Sequence, residues 1–252
     1  MTDTLVLTKA DFKDGYYINH DLIFDGDVEI EIGCGWCSFR QIKVGGDLTG
    51  REGVSIQSNG WMRVEGRIET GKSIVATKGV VAGDSIDCGG NVIAGEGIEC
   101  SGWMIVGGFI RSQEYVIAKM MLSADGGVFA GDEITCDCDI FAGGDLEAGG
   151  EIKAVGEIRS HGRIASGDGI FSGGHISASG EIAAAYNITA GSFVHCTGDL
   201  TVGGRIFAGV RHDVDPAAGL PPGEKAVICA RLISGVVAHG DLVELHKKQE
   251  QE

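Results

Sequence analysis

The stretch SIDCGGNVIAGEGIECSGWMIVGGFIRS, residues 85–112, holds the fold in miniature. Ile86, Val92, Ile98, Met104 and Ile110 fall at every sixth position. Two residues after each comes Cys88, Ala94, Cys100, Val106 or Ser112. Followed outward, the aliphatic series runs from Met62 to Ile206 without a miss, 25 consecutive positions. On a β-strand residues i and i+2 point to the same side. The aliphatic and the small residue therefore face inward and the residue between them faces out. The other three positions are rich in Gly, which permits a corner with positive φ. Each hexad is one short strand plus one corner.

Glycine also sets the number of sides. Gly90, Gly108, Gly126, Gly144, Gly162, Gly180 and Gly198 recur at every third hexad. Gly131, Gly149, Gly167 and Gly203 form a second such series, interrupted at Gln113 and Ala185. The pattern predicts an all-β chain: a single three-sided parallel β-helix (β-solenoid) in which three hexads make one coil. Residues 24–209 hold about ten coils, stacked about 4.8 Å apart. Phe24, Ile30, Trp36, Ile42, Leu48 and Val54 carry a weaker run of sixes. Two residues are then inserted near Ser58 and Asn59, where a bulge or corner loop is expected.

The ends depart from the hexad. Residues 1–23 read as an N-terminal cap, with Leu5, Leu7, Tyr16, Tyr17 and Ile18 available to cover the first coil. Residues 210–225 hold all 3 prolines, Pro216, Pro221 and Pro222, and read as a loop leaving the solenoid. Residues 226–245, with Ile228-x-Ala230 and Val236-x-Ala238, read as a last coil or C-terminal cap, and residues 246–252 as a polar tail.

Composition excludes several classes. Gly makes up 43 of 252 residues, yet with so few prolines and no Gly every third residue the chain is not collagen-like. A hydrophobic content of 43% argues against disorder. No apolar run approaches the roughly 18 residues a membrane helix needs. The segment MTDTLVLTKADF has no basic region leading into an apolar core, so no secretory signal is expected and the protein is read as cytoplasmic. A net charge of −16 argues against nucleic-acid binding and permits a basic partner. Of the 8 cysteines, Cys88, Cys100, Cys136 and Cys196 occupy the small inward position and read as reduced, buried side chains. Cys34-Gly-Trp-Cys37 is a lone CxxC, and Cys136-Asp-Cys138 is not the matching pair that a zinc site requires. No metal, cofactor or catalytic residue is expected.

The outward positions carry the functional reading. Around residues 103–121 they turn apolar: Trp103, Ile105, Phe109, Tyr115, Ile117 and Met121. Trp103 and Met121 are three hexads apart and stack on one face, with Ile105 beside them. Clustered exposed apolar residues mark interfaces, and Trp and Tyr anchor them. From Met120 to Ile152 there is no Lys or Arg, but there are Asp125, Asp132, Glu133, Asp137, Asp139, Asp145, Glu147 and Glu151. Such a block complements a basic partner and steers its approach. The expected partner site is Trp103, Ile105, Phe109, Tyr115, Asp132, Glu133, Asp139 and Glu147. His161, His175 and His195 fall by register on one face, which opens an enzymatic alternative. Hexapeptide acyltransferases are triangular β-solenoids with a His general base. Their repeat, however, sets the small residue four after the aliphatic one, not two.

The Gly-rich hexad with Val/Ile and small inward residues resembles that of bactofilins, the polymer-forming bacterial cytoskeletal solenoids, over most of residues 24–208. The resemblance implies a right-handed rod polymerising end to end through uncapped coils, and self-association is one expectation. This chain is longer and its non-repeat ends read as caps. The repeat is also similar to that of Gly-rich hexad-repeat bacterial proteins associated with immunity to interbacterial toxins. A fold-level analogy links it to acidic solenoids that mimic DNA. Together with the acidic, aromatic-bearing flank, these imply a non-catalytic immunity or inhibitor protein that neutralises a basic toxin or enzyme.

Overall fold

A computed structural model describes residues 3–32, 35–210, 227–231 and 233–244. Apart from one 3-10 turn at Lys9–Asp11, the described elements are all β-strands. The chain divides into two compact units, Met1–Gly131 and Asp132–Glu252. Each is a three-faced parallel β-solenoid in which three hexads complete a coil, so that Ile86 pairs with Met104 and Ile158 with Ile176. Of the proline-bearing loop expected over 210–225 only Val210 is described, and it is buried; the rest of that loop, the polar tail and Cys34 lie outside the described residues.

In the first unit one face stacks Thr4–Thr8, Asp27–Glu31, Leu48–Gly50, Ile68–Thr70, Ile86–Cys88, Met104–Val106 and Leu122–Ala124, all parallel. A second runs through Asp21–Phe24, Gln41–Val44, Met62–Val64, Val80–Ala82, Ile98–Cys100 and Val116–Ala118. The third runs from Gly35–Phe39 and Val54–Ser58 to Ile110–Ser112 and Val128–Ala130. Below they are called the Met104, Ile98 and Ile110 faces. The aliphatic ladder fills the core: Met62, Ile68, Ile74, Ile86, Ile98 and Met104 are each fully buried. The repeat strands are so short that each buries its inward pair only because a neighbour covers it above and below.

In the second unit the Ile158 face stacks Ile140–Ala142, Ile158–Ser160, Ile176–Ala178, Val194–Cys196, Val227–Ala230 and Asp241–Glu244. The Ile152 face carries Ile134, Ile152, Ile170 and Ile188 in register. The Ile164 face carries Leu146, Ile164 and Ile182. The long strand Leu200–Ala208 turns a corner and serves both of the latter, pairing with Ala184 and with Ile188. Ile228 pairs in register with Val194, as the Ile228-x-Ala230 echo requires, and Ala230 is buried. The second echo is displaced by one residue: Val237 pairs with Ile206, and Val236 is exposed.

Several expectations for the N-terminal part are corrected. Residues 4–8 form a further solenoid strand, and a small antiparallel pair, Phe12–Lys13 with Tyr16–Tyr17, packs its rings on Phe39. Leu7 and Tyr17 are buried, whereas Tyr16 and Ile18 point outward. Trp36 is 49% exposed, and its neighbours Cys37 and Phe39 take the inward positions, aligned with Ile56 and Ser58. The two-residue insertion lies not at Ser58 but at the Arg51–Gly53 corner. Ile56 aligns with Ile74 in the normal phase, whereas Leu48 aligns with Ile68, one coil and two further positions on. Val54 N–H closes a turn on the Arg51 carbonyl at 3.0 Å, and Gly53 supplies φ +90°, which a side chain would oppose.

The corner glycines of the repeat serve a different purpose from the expected one. Among the described residues, Gly has positive φ only at Gly15, Gly35, Gly53, Gly209, Gly235 and Gly240, none of them in the two periodic series. What the repeat needs is close approach between coils. A Cβ at Gly167 would lie 2.0 Å from the Gly149 carbonyl oxygen, and one at Gly156 would lie 2.0 Å from Asp139 Oδ1.

Candidate binding surface

One coil travels around all three faces, so neighbours in sequence need not be neighbours on the surface. Trp103 and Ile105 do meet: both belong to the Met104 face and its leading corner, at 37% and 38% exposure. Ile105 lies between Asp87 and Ser123 on adjacent strands, and Glu69 stands one strand before Asp87. Arg67 bridges Asp87 at 2.8 Å and Glu69 at 3.4 Å. This face thus offers an apolar pair beside two carboxylates that share one cation.

The other two aromatics lie elsewhere. Phe109 precedes the Ile110 strand, and the Arg111 guanidinium lies 5.6 Å from its ring centroid and 5.3 Å from that of Phe129. Tyr115 precedes the Val116 strand of the Ile98 face. Its ring lies against Gly97, where an added Cβ would come within 2.1 Å of it. Burial first, then the nearby Glu99 charge, raise the Tyr115 phenol above its ordinary pKa. Tyr115 covers a corner rather than standing free as an anchor, and Phe109 is engaged by a cation.

The acidic residues of the second unit divide in two. Asp132 and Glu133 are exposed and form no ion pair among the described residues. Asp139 and Glu147 are engaged. Asp139 Oδ1 accepts the backbone N–H of Glu157 at 2.7 Å. Glu147 accepts from Arg163 Nε at 2.9 Å. Asp139 belongs to a set that residue-type reasoning missed. Asp27, Asp47, Asn91, Asp145 and Asn187 likewise accept the N–H of the equivalent corner residue one coil on. The signal is legible in the sequence. An Asp or Asn stands immediately before an inward aliphatic residue, and the next coil supplies Gly to make room for its oxygen. Part of the negative charge is therefore architectural.

The described contacts of His175 include neither His161 nor His195. His161 and His195 take part in no described ion pair. His175 is closed in: its Nδ1 lies 3.1 Å from Glu157 Oε1, Arg159 Nε donates to its Nε2 at 2.9 Å, and its ring stacks on Phe193 at 4.5 Å. Burial, with Arg159 adding to it, lowers its pKa against the opposing pull of Glu157. An imidazole with both nitrogens occupied has no free lone pair for substrate. Cys37 is pushed up to about 12, and Cys88 and Cys196 to about 11, all by burial first, which leaves them as unreactive thiols. Among the described residues no group of three or more His, Cys, Asp or Glu is placed to hold a metal ion, and no helix is long and apolar enough to cross a membrane.

Compared with known proteins, the chain matches no family model, no curated protein and no solved structure.

Proposed function

We propose that the protein is a non-catalytic binding scaffold of the cytoplasm, an immunity or inhibitor protein that holds a basic toxin or enzyme. One observation supports this most: Trp103 and Ile105 stand exposed side by side on the Met104 face, next to Glu69 and Asp87. An apolar anchor beside carboxylates suits a cationic protein surface. Asp132 and Glu133, exposed and outside the described ion pairs, add long-range attraction. Phe109, Tyr115, Asp139 and Glu147 are left out of the contact, because each already serves the solenoid. The test is a pull-down with the full chain as bait. A basic partner held by the wild type is lost with Trp103→Ala and held more weakly, mainly through slower association, with Asp132→Lys/Glu133→Lys. Equal capture by Trp103→Ala overturns the assignment of this face.

A second reading, a bactofilin-like polymer, draws on a separate observation. At the last described strands of the second unit, Val236, Leu242 and Val243 are exposed. Clustered exposed apolar residues mark interfaces. Light scattering across a hundredfold concentration range separates the two: a constant mass at a small multiple of 26.2 kDa removes the polymer, and growth with concentration favours it.

A further inference from the structure

The first unit carries a basic cleft that the acidic composition conceals. Three successive coils meet at the corner leading into the Ile98 face. There Arg40, Gln41, Asn59, Gly60, Trp61 and Lys78 line an open cleft of about 350 Å³. The corner is rigidly built. Ser58 Oγ donates to the Trp61 carbonyl at 3.1 Å and accepts the Gly60 N–H at 3.2 Å. The Trp61 ring rests on Gly79, where a Cβ would come within 2.2 Å, and the Arg63 guanidinium lies 4.6 Å from its centroid.

Of the two cations that line the cleft, Arg40 has a carboxylate partner and Lys78 has none among the described residues. Asp21 accepts from Arg40 Nε at 2.8 Å and from one of its terminal nitrogens. Lys78, Lys43 and Arg63 form no ion pair among the described residues. Arg63 and Lys43 stand directly opposite each other on adjacent strands, flanked in that row by Ile23 and Val81. Like charges in that register repel, and the first carboxylate of the row, Glu99, stands beyond Val81. Glu65, two residues after Arg63, and Glu96, whose N–H donates to the Lys78 carbonyl, form no ion pair with any of the three. The Asn59 amide oxygen accepts from Gln57 at 3.4 Å, which leaves its N–H groups to donate. A cleft lined by Lys78, by Arg40, by side-chain amides and by one indole wall, with Lys43 and Arg63 on the adjoining face, is arranged to receive negative charge.

We infer that this corner binds a phosphate-class oxyanion, free or carried on a small organic molecule. Lys78 and Arg40 hold the charge, and Trp61 gives the organic part an apolar wall. This site is separate from the Trp103 contact and stands or falls without it.

The test is calorimetric titration of the full chain with inorganic pyrophosphate and, separately, with ADP, in phosphate-free buffer at low salt. The expected result is saturable binding of one equivalent, weakened at least tenfold by Lys78→Ala and by added salt. Lys72→Ala, an exposed cation at a different corner, leaves it unchanged. Tighter binding of ADP that Trp61→Leu abolishes, with pyrophosphate affinity retained, identifies a carried phosphate. Equal affinities identify the free anion. Lys78 is exposed and in no described ion pair, so its truncation leaves folding intact, which circular dichroism verifies. No heat with either ligand at millimolar concentration, or full binding by Lys78→Ala, overturns the inference.

Discussion

Asp139 Oδ1 accepts the backbone N–H of Glu157 at 2.7 Å, and the space that oxygen fills is the space a side chain at Gly156 would need. The two positions should therefore be coupled. Asp139→Ala is expected to cost about 1 kcal/mol, and Asp139→Asn much less, since Asn91 and Asn187 perform the same task. Gly156→Ala should cost more in the wild type than in Asp139→Ala. Gly167→Ala, which meets a backbone carbonyl, should gain nothing from that background. A double-mutant cycle from urea denaturation reads the coupling.

Trp103 and Tyr115 should part company in a stability assay. Trp103→Ala removes an exposed side chain and should stay within about 0.5 kcal/mol of the wild type. Tyr115→Ala uncovers the Gly97 corner and should cost about 1–2 kcal/mol. If Trp103→Ala were the more destabilising of the two, its exposed side chain would be a structural element and not a contact surface.

Stability should fall on mild acidification, in part through His175. The groups facing it are Glu157, Arg159, Asp139 and the Phe193 ring, and its folded-state pKa lies below the ordinary 6.5. As pH drops through that ordinary value, the unfolded chain takes up a proton that the folded His175 resists. The contribution is thus fully present above the unfolded pKa and is lost toward and below the folded one. Urea midpoints at about pH 7.5 and 5.5 should differ less for His175→Gln than for the wild type. An unchanged slope would mean that His175 ionises without penalty.

The thiols should react in two classes. Cys37, Cys88 and Cys196 are buried with raised pKa values, whereas Cys138 is exposed. Titration of the native protein with a chromogenic disulfide should show a fast phase that loses one equivalent in Cys138→Ser. The buried thiols should appear only with denaturant.

The solenoid was legible because one rule, repeated 25 times from Met62 to Ile206, outweighs any local accident. Where the rule thins, the phase becomes ambiguous. Leu22 and Phe24 both turn inward, as do Val28 and Ile30, so a run of sixes can be drawn through either member of each pair. Following Phe24 and Ile30 leads to Trp36, whereas the strand that starts at Gly35, with φ +123°, turns Cys37 inward instead. The candidate site was half legible. Trp103 and Ile105 share a strand and its corner, so sequence proximity sufficed. Phe109 and Tyr115 lie beyond successive corners, so proximity along the chain carried them to other faces. Charge counting cannot separate Asp132 from Asp139. Only the position immediately before the inward aliphatic residue, with Gly waiting one coil later, marks the carboxylate that the backbone consumes. Neither counting nor periodicity exposes the basic cleft, because Arg40, Trp61 and Lys78 meet only when three coils stack.

The Arg51–Gly53 corner shows where this architecture tolerates novelty. Two extra residues enter there, and by Ile56 the alignment with Ile74 is already regular. A three-residue face strand cannot absorb such an addition, because its inward pair would lose register with the strands above and below it. This corner can, because the Val54 N–H closes its turn on the Arg51 carbonyl and the regular alignment resumes at Ile56. It is therefore a grafting point of the molecule. A guest peptide spliced between Glu52 and Gly53 would be displayed at a fixed height on the stack, with the ladder from Met62 onward left as it was.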